Sequence, residues 1–357
     1  MTAFDQRFRV PLKKAPETFS VSVGNIAFGG RGKTPTVALV ARTLRDMGER
    51  VAILSRGYGR RIVEDGVVIV SDGVHLLADL DRAGDEPLML ARELPGISVV
   101  VCDQRAVAGA LAQHVLGATA LVLDDGFQHR EMRRDVDLVI VAPDDLGGRR
   151  APLGRLRESP AALARADVVV VDGEVPRMTS GVFFDEKDTR RHFRLRRHTH
   201  APALRAGARV FVLAGIAGPA RVARAAADAG FVVVGAWSPG DHRRYTRADV
   251  ARIARDIRAL SDVRDLRALG DDVALLTTAK DAERLRPFRP LPFGVHVLGH
   301  SVTLEPTDDG PSFAAWLGAR VSAHRATGPR VPRDPADREA PWTVDPVGPW
   351  TEKSAPK

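Results

Sequence analysis

The chain has one cysteine and no long uninterrupted apolar run. A single thiol, Cys102, excludes an internal disulfide, and its place in an apolar stretch fits a reducing compartment. The longest apolar runs are as short as residues 168–171, so the sequence predicts no membrane-spanning helix. Residues 1–19 lack the apolar core of a signal peptide. These absences predict a cytoplasmic protein whose 357 residues are enough for two domains.

Lysine is also scarce, since only 7 of the 53 basic residues are lysines. The net charge of +8 raises the question of a nucleic-acid partner, but the basic residues are dispersed rather than clustered. An anionic substrate or a membrane surface explains the charge equally well. The leader interleaves Phe4 and Phe8 with Arg7 and Arg9, which leaves a weak interfacial segment as an alternative to an unstructured start.

The first half of the chain alternates short β-branched runs with longer amphipathic stretches. Strands are predicted at residues 19–23, 51–54, 67–70, 98–101, 120–123, 138–141 and 168–171. Helices are predicted at residues 33–47, 86–94 and 106–116. Near-continuous apolar strands separated by helices indicate an α/β fold of the P-loop type, a mainly parallel sheet covered on both faces. A turn-like Glu64-Asp65-Gly66 makes the strand at 67–70 a peripheral one.

A polar segment then precedes a second α/β set. We interpret residues 174–204 as a linker or a two-stranded ribbon and residues 205–325 as a second, smaller α/β domain. Its strands are predicted at 210–213, 231–234, 273–276 and 295–298, and its helices at 219–229, 247–260, 282–285 and 312–321. The first domain then covers residues 1–173. Residues 326–357 carry 7 prolines without apolar periodicity, which is typical of a disordered tail.

A glycine-rich turn between the first strand and the first helix is the clearest chemical signal. Residues 24–35 read GNIAFGGRGKTP. Glycines let backbone N–H groups converge on phosphates, and the following helix N-terminus adds positive potential. Lys33 is expected to bridge the β- and γ-phosphates, and Thr34 to offer its hydroxyl to Mg²⁺. The predicted ATP-binding residues are Ala27, Phe28, Gly29, Gly30, Arg31, Gly32, Lys33 and Thr34.

The same layout occurs in partitioning-type ATPases, which carry a second lysine before the paired glycines. That position is Phe28 here. The substitution argues against a dimerising ATPase switch and for an ordinary kinase.

Two acidic segments complement the loop. An apolar strand ends in Asp124 and Asp125, the Walker B arrangement that holds a magnesium ion or its waters, with Gln128 close by. Asp85 and Glu86 open another helix, where they are either simple caps or, for Asp85, the base that accepts a hydroxyl proton. His242, in the second set, is either a surface residue or the partner of such a base.

These pieces in this order resemble the tetraacyldisaccharide 4'-kinase family of Gram-negative bacteria. The matching segments are residues 23–35, 55–59 (SRGYG), 84–87 (GDEP), 103–105 (DQR), 124–129 (DDGFQH), 153–158 (LGRLRE), 214–216 (AGI), 241–242 (DH) and 277–281 (TTAKD). Together they span roughly residues 20–320. The family also accepts a residue other than glycine at Ala27.

The resemblance implies that the γ-phosphate of ATP is transferred to the 4'-hydroxyl of a tetraacylated disaccharide 1-phosphate. It implies that Asp85, paired with His242, is the catalytic base and that Lys33 assists. The implied metal residues are Thr34, Glu86, Asp124, Asp125 and Gln128. The implied acceptor residues are Asn25, Arg56, Arg105 and Arg157, whose forked guanidinium groups suit phosphates.

The resemblance further implies ATP and Mg²⁺ as cofactors, an anionic glycolipid as substrate, and peripheral contact with the cytoplasmic face of the inner membrane. Neither a nucleic acid nor an obligatory protein partner is expected. The chain departs from the family in its leader, which lacks the usual longer apolar helix, and at Arg243 and Ala279, where the family usually has histidine and glutamate. The segment at 147–152 differs as well.

Overall fold

The computed structural model describes residues 18–63, 66–129, 132–173, 190–216, 218–241, 243–261 and 273–327. They form two sheets with helices packed around them. The strands are β1 (Phe19–Asn25), β2 (Val51–Ser55), β3 (Val68–Ser71), β4 (Ser98–Val101), β5 (Ala120–Asp124), β6 (Val136–Val141), β7 (Val168–Asp172), β8 (Arg191–His200), β9 (Arg209–Leu213), β10 (Val232–Trp237), β11 (Ala274–Thr277), β12 (Val295–Val297) and β13 (Gly299–Pro306). The helices are α1 (Lys33–Asp46), α2 (Leu80–Ala83), α3 (Asp85–Glu93), α4 (Arg105–His114), α5 (Pro143–Leu146), α6 (Ala220–Asp228), α7 (Arg247–Ser261), α8 (Ala279–Leu285) and α9 (Phe313–Thr327).

The larger sheet confirms the predicted α/β class. Its strand order is β13-β8-β7-β6-β1-β5-β2-β4-β3, and every neighbouring pair from β8 to β4 is parallel. The edge strand β3 runs antiparallel to β4, as the turn before it predicts. Because β1 lies between β5 and β6, the loop after β1 and the acids after β5 emerge at the same edge of the sheet.

Burial of the central strands explains their composition. All seven residues of β1 and all five of β5 are buried. Helix α1 covers one face of the sheet with Val37, Val40, Ala41 and Leu44. A strand with both faces buried must be apolar throughout, and this is the continuous pattern seen in the sequence.

Two strands and a helix extend this sheet beyond what the sequence indicated. The segment interpreted as a linker contains β8, which pairs with β7, and β13 returns to pair antiparallel with β8. Helix α9 packs on the same core through Phe313, Leu317 and Val321. The sequence grouped residues 299–325 with the second α/β set, but the chain returns them to the first sheet. The arginine-rich β8 buries only Phe193 and Leu195, so its periodicity was too weak to assign it.

The smaller sheet has the order β10-β9-β11-β12, and all its pairs are parallel. Helices α6 and α7 pack on it through residues such as Val222, Ala226, Ile253 and Ile257. Its carboxyl edge carries the segments after β9 and β11, which face helix α3 of the larger sheet, as the contacts below show. The predicted second α/β set is therefore present as residues 209–297.

Gly24 and Phe127 join the end of β1 to the loop after β5. A Cβ on Gly24 would lie 2.5 Å from the Phe127 Cβ, too close for any residue but glycine. We expect Gly24→Ala to lower the free energy of unfolding by about 1–3 kcal/mol through overpacking. Gly147→Ala is the control, since a Cβ there meets no atom within 4 Å. Urea titrations of both variants check this, and equal stabilities would contradict it.

Several predictions lie outside the described residues. They concern the leader up to residue 17, residues 174–189 of the linker, the tail from residue 328, and His242. Among the helices that the structure describes, none is long and apolar enough to cross a bilayer.

Candidate active site

The glycine-rich loop follows β1 and leads into α1, as its sequence predicts. Gly29 and Gly32 adopt positive φ angles of 110° and 81°, which glycine tolerates without strain. The first turn of α1 has no side-chain cap at Gly32, and the first-turn residues include no acid. Its N–H groups are thus left for an anion, which the helix dipole favours.

Lys33 points back across the loop toward acidic and amide oxygens. Its Nζ lies 3.3 Å from Asn25 Oδ1 and 3.3 Å from Asp125 Oδ1. Asp125 also accepts a 2.7 Å hydrogen bond from Arg157, and its φ of 53° places its carboxylate toward these cations. Although burial raises the pKa of Asp125, Lys33 and Arg157 lower it below its ordinary value. Asp125 is therefore a stable anion that orients two cations.

Asp124, one residue earlier, has the opposite electrostatic character. Its buried carboxylate accepts a 3.1 Å hydrogen bond from Ser55. Burial, together with the neighbouring carboxylates of Glu86 and Asp125, raises the pKa of Asp124 to about 7. Too little positive charge lies near the Asp124 carboxylate to stabilise its ionised form. A divalent cation bound to Asp124 would supply that charge.

The raised pKa of Asp124 predicts a pH-dependent stability of the nucleotide-free protein. Between the ordinary value of 3.8 and about 7, the folded chain holds a proton that the unfolded chain has released. The free energy of unfolding should therefore fall as pH rises through this window, and the part of the fall between pH 5 and pH 8 should be on the order of 2 kcal/mol. In Asp124→Asn this component of the fall should disappear. Chemical denaturation at pH 5 and pH 8, with a chelator present, measures it.

Asp46→Asn is the matched control for this experiment, because the Asp46 side chain is 66% exposed on α1. It should keep the pH dependence of the original chain. If Asp124→Asn also keeps it unchanged, the electrostatic account of Asp124 is wrong.

Glu86 connects the loop to the smaller sheet. Its Oε2 lies 3.5 Å from the Thr34 hydroxyl, and its Oε1 forms an ion pair with Lys280 of α8. Burial lowers the pKa of Lys280, but Glu86, Asp85 and Asp241 raise it more, so Lys280 stays charged. Glu86 therefore contacts both Thr34 at the start of α1 and Lys280 beside the smaller sheet, and this contact joins the two sheets.

Asp85 lies beneath this contact and is held by Arg284 of α8. Arg284 Nε donates to Asp85 Oδ2 at 2.9 Å, and Arg284 Nη2 binds the same oxygen. The other oxygen, Oδ1, accepts from the N–H of Glu86 at 2.9 Å. The sequence-based hypothesis paired Asp85 with His242, which is outside the described residues. Within the described residues, Arg284 is a side-chain partner of Asp85.

Arg284 is itself fixed by a buried network. It donates to Asp281 Oδ1 at 3.0 Å and to the Gly215 carbonyl at 2.6 Å. Asp281 accepts further hydrogen bonds from the Tyr245 hydroxyl at 2.8 Å and from Gly215 N–H at 2.9 Å. Burial and the adjacent Asp281 raise the pKa of Tyr245, so Tyr245 stays a neutral donor.

One cavity of about 1150 Å³ runs between the two sheets. Its volume is large enough for a nucleotide and part of a second molecule. The predicted residues that line it are Phe28, Gly29, Gly30, Arg31, Gly32, Lys33, Thr34, Arg56, Glu86, Arg105, Asp124, Asp125, Gln128 and Arg157. Ala27 and Asn25 are fully buried under the loop, so they support it from below.

Three predicted acceptor residues present guanidinium groups to this cavity. Arg56 approaches His129, with 3.0 Å between Nη2 and Nε2. Arg105 is 3% exposed, and its Nη1 donates to the Cys102 carbonyl. Its Nε and Nη2 have no hydrogen-bond partner within the part of the chain that the structure describes. Burial lowers the pKa of Arg105, and nearby Asp124 opposes this shift. A buried cation with two unused nitrogen donors fits a phosphate or headgroup oxygen.

The side chain of Gln128, which was predicted to lie near the metal, donates hydrogen bonds to other parts of the protein. Its Nε2 donates to the Asn25 carbonyl at 2.9 Å and to Glu158 Oε1 at 3.2 Å. It therefore ties the loop after β5 to the base of the phosphate loop.

The donor set fits a magnesium ion that also uses phosphate oxygens. Among the described residues, no group of three or more acidic, histidine or cysteine side chains could hold a metal by itself. Mg²⁺ in phosphotransferases typically takes only one or two protein ligands, with phosphates and waters completing its shell. Asp124, whose pKa is raised by burial and by the neighbouring carboxylates, and the hydroxyl of Thr34 are suitable protein ligands.

Comparison with known proteins identifies the family. The family profile described as tetraacyldisaccharide-1-P 4'-kinase matches residues 6–322. The chain belongs to the tetraacyldisaccharide 4'-kinase family. A tetraacyldisaccharide 4'-kinase from Anaeromyxobacter sp. (strain Fw109-5) is 40% identical over 75% of this chain and 74% of its own length. The enzyme of the same name from Geobacter metallireducens is 39% identical over 78% of this chain and 81% of its own length.

A solved structure of a tetraacyldisaccharide 4'-kinase family member has the same fold. The LpxK of Aquifex aeolicus, determined in complex with ATP, superposes with a TM-score of 0.65 and 28% identity. The match covers 86% of this chain and 88% of that chain. The family resemblance, the α/β fold and the nucleotide-binding character indicated by the sequence are confirmed.

Several site residues of this kinase family member escaped the sequence interpretation. Lys280 and Asp281 were noticed only as part of a matching segment, and Arg284 was not considered. Arg197 and Arg221, which also line the cavity, have no local motif beyond their charge. The only local sequence signal for Arg284 is that it is a basic residue one helical turn after Lys280.

Proposed function

We infer that this chain is an ATP-dependent tetraacyldisaccharide 4'-kinase. It transfers the γ-phosphate of ATP to the 4'-hydroxyl of a tetraacylated glucosamine disaccharide 1-phosphate, a step of lipid A biosynthesis. Family membership supports the reaction and the substrate class. The observation that carries the proposal is the meeting of Lys33, Asp124, Asp125 and Glu86 on one cavity.

The residues of the loop hold and orient the triphosphate. The N–H groups of the loop and of the first turn of α1 bind β-phosphate oxygens. Lys33 Nζ, now 3.3 Å from Asn25 and from Asp125, moves only a short way to reach the β- and γ-phosphates. This cation stabilises charge that moves toward the bridging oxygen during transfer.

Mg²⁺ supplies charge neutralisation for the β- and γ-phosphates when it is bound. Asp124 and Thr34 would hold the ion, and Glu86 accepts a hydrogen bond from the Thr34 hydroxyl. Asp125 holds Lys33 and Arg157 in place rather than the ion, because both of its oxygens already face cations.

Asp85 accepts the proton of the attacking hydroxyl in this proposal. In the described state its carboxylate is 5% exposed and bound to Arg284. The acceptor must therefore approach Asp85 from the Glu86 side, and a shift of α8 relative to α3 loosens the ion pair. Arg105, whose Nε and Nη2 have no hydrogen-bond partner among the described residues, binds the anionic headgroup.

The acceptor is a lipid, so we also propose peripheral contact with the cytoplasmic face of the inner membrane. Exposed apolar side chains flank the cavity, among them Phe28 (50% exposed) and Tyr58 (68% exposed). These two side chains provide an apolar edge where acyl chains leave the polar cavity.

The test is a transfer assay with purified chain, γ-labelled ATP and the disaccharide 1-phosphate in mixed micelles. Label should appear in the lipid, and a 4'-deoxy acceptor should receive none. Labelled free phosphate without labelled lipid, together with ATP-dependent dimerisation, would instead indicate the switch ATPase class. Equal labelling of an unrelated sugar would indicate a different acceptor.

A further inference from the structure

Four arginines surround the phosphate loop, and the glycine-rich motif itself contains only one of them, Arg31. Arg155 donates to the Phe28 carbonyl at 3.5 Å. Arg197 of β8 and Arg221 of α6 approach the loop from elsewhere in the chain and line the same cavity. Because the loop glycines have no side chains, the guanidinium groups beside them lie close to the backbone that binds phosphates.

Arg221 reaches the loop at Gly30. Its Nη2 lies 3.7 Å from the position that a Cβ would take on Gly30. The approach depends on a second glycine: a Cβ on Gly218 would lie 2.8 Å from Arg221 Nε, and Gly218 has a φ of 78°. The turn before α6 is thus shaped to let this guanidinium lie over the phosphate loop.

Two of the other arginines hold parts of the larger sheet and its loops together. Arg31 is paired with Asp145, and Arg197 with Asp172, whose Oδ1 accepts from Arg197 Nε at 3.2 Å. Arg197 also lies 3.3 Å from the Cβ position of Gly32, so it holds β8 against the loop. Arg221 belongs to the smaller sheet, which also supplies Lys280 to the acidic side of the cavity.

We propose that Arg221 is a catalytic residue that donates hydrogen bonds to the γ-phosphate of ATP from outside the loop. Phe28 occupies the position where partitioning-type ATPases carry a second lysine, and Arg221 supplies that second cation from α6. A guanidinium in this position stabilises the charge spread over the phosphoryl group during transfer. The inference rests on the proposed kinase reaction and adds a residue to it.

The test compares Arg221→Gln and Arg221→Lys with Arg224→Gln, an exposed arginine one turn further along α6. We expect Arg221→Gln to lower kcat by about 10²–10³-fold, Arg221→Lys to recover part of this loss, and Arg224→Gln to stay within about threefold of the original chain. Calorimetry with ADP and with β,γ-methylene-ATP shows where Arg221 acts. Affinity for the ATP analogue should fall more than affinity for ADP.

The alternatives have distinct outcomes. If the original chain transfers phosphate and Arg221→Gln keeps a kcat within threefold of it, the role of Arg221 is refuted while the kinase proposal stands. If Arg221→Gln lowers the affinity for ADP and the affinity for the ATP analogue equally, the proposed contact with the γ-phosphate is refuted. If Arg221→Gln unfolds, Arg221→Lys decides, since a folded lysine variant with unchanged kcat and analogue affinity also refutes the guanidinium role. If the original chain transfers no phosphate, the proposed function itself fails.

Discussion

Replacing Lys33 with alanine should lower kcat for phosphate transfer by at least about 10²-fold. The reason is that Lys33 supplies the positive charge nearest to the terminal phosphates, from a position fixed by Asn25 and Asp125. Asp125 keeps its 2.7 Å hydrogen bond with Arg157 in the variant, so the fold should be preserved. Initial rates of labelled lipid formation at saturating ATP measure the effect.

Lys33→Arg is the companion variant for this prediction. It keeps the charge but displaces it, and should have intermediate activity. Circular dichroism melting of all variants separates a loss of chemistry from a loss of fold. Near-normal turnover of a folded Lys33→Ala chain would overturn the assignment of the nucleotide site.

The second large effect is expected for Asp85→Asn, which should lower kcat by about 10²–10⁴-fold while ATP binding persists. An amide has the same shape as the carboxylate but cannot accept the hydroxyl proton. Arg284 keeps Asp281 and the Gly215 carbonyl as partners, which limits the structural damage. Pre-steady-state transfer rates and calorimetric ATP affinity together check the prediction.

Asp281→Asn is a demanding control for Asp85, since it perturbs the same Arg284 from a fully buried position. If Asp85 acts chemically, Asp281→Asn should cost far less activity at comparable stability. If both variants lose activity equally, Asp85 only positions Arg284 and α8, and another group accepts the proton.

The sequence predicted the parts of the site that are encoded locally. The phosphate loop and the acids after β5 are continuous segments whose order on the sheet follows from parallel topology. The edge position of β3 also followed from the turn before it. Short motifs of this kind depend on backbone geometry, which neighbouring residues determine.

Contacts between distant segments could not be predicted in this way. The pairs Asp85–Arg284 and Glu86–Lys280 join residues almost two hundred positions apart. Strand β8 is so rich in arginine that its membership of the large sheet becomes visible only through β7 and β13. These contacts arise because the chain crosses to the smaller sheet and then returns to the larger one. No local sequence pattern indicates that return.

We expect the Lys33 loop, the Asp124–Asp125 pair and the Asp85–Glu86 helix start to surround a single triphosphate. A crystal structure of the chain with β,γ-methylene-ATP and Mg²⁺ tests this most directly. The γ-phosphate should lie within hydrogen-bonding distance of Lys33 Nζ, and the ion should be bound to Asp124 and Thr34. A triphosphate bound elsewhere, or an ion without either ligand, would contradict it.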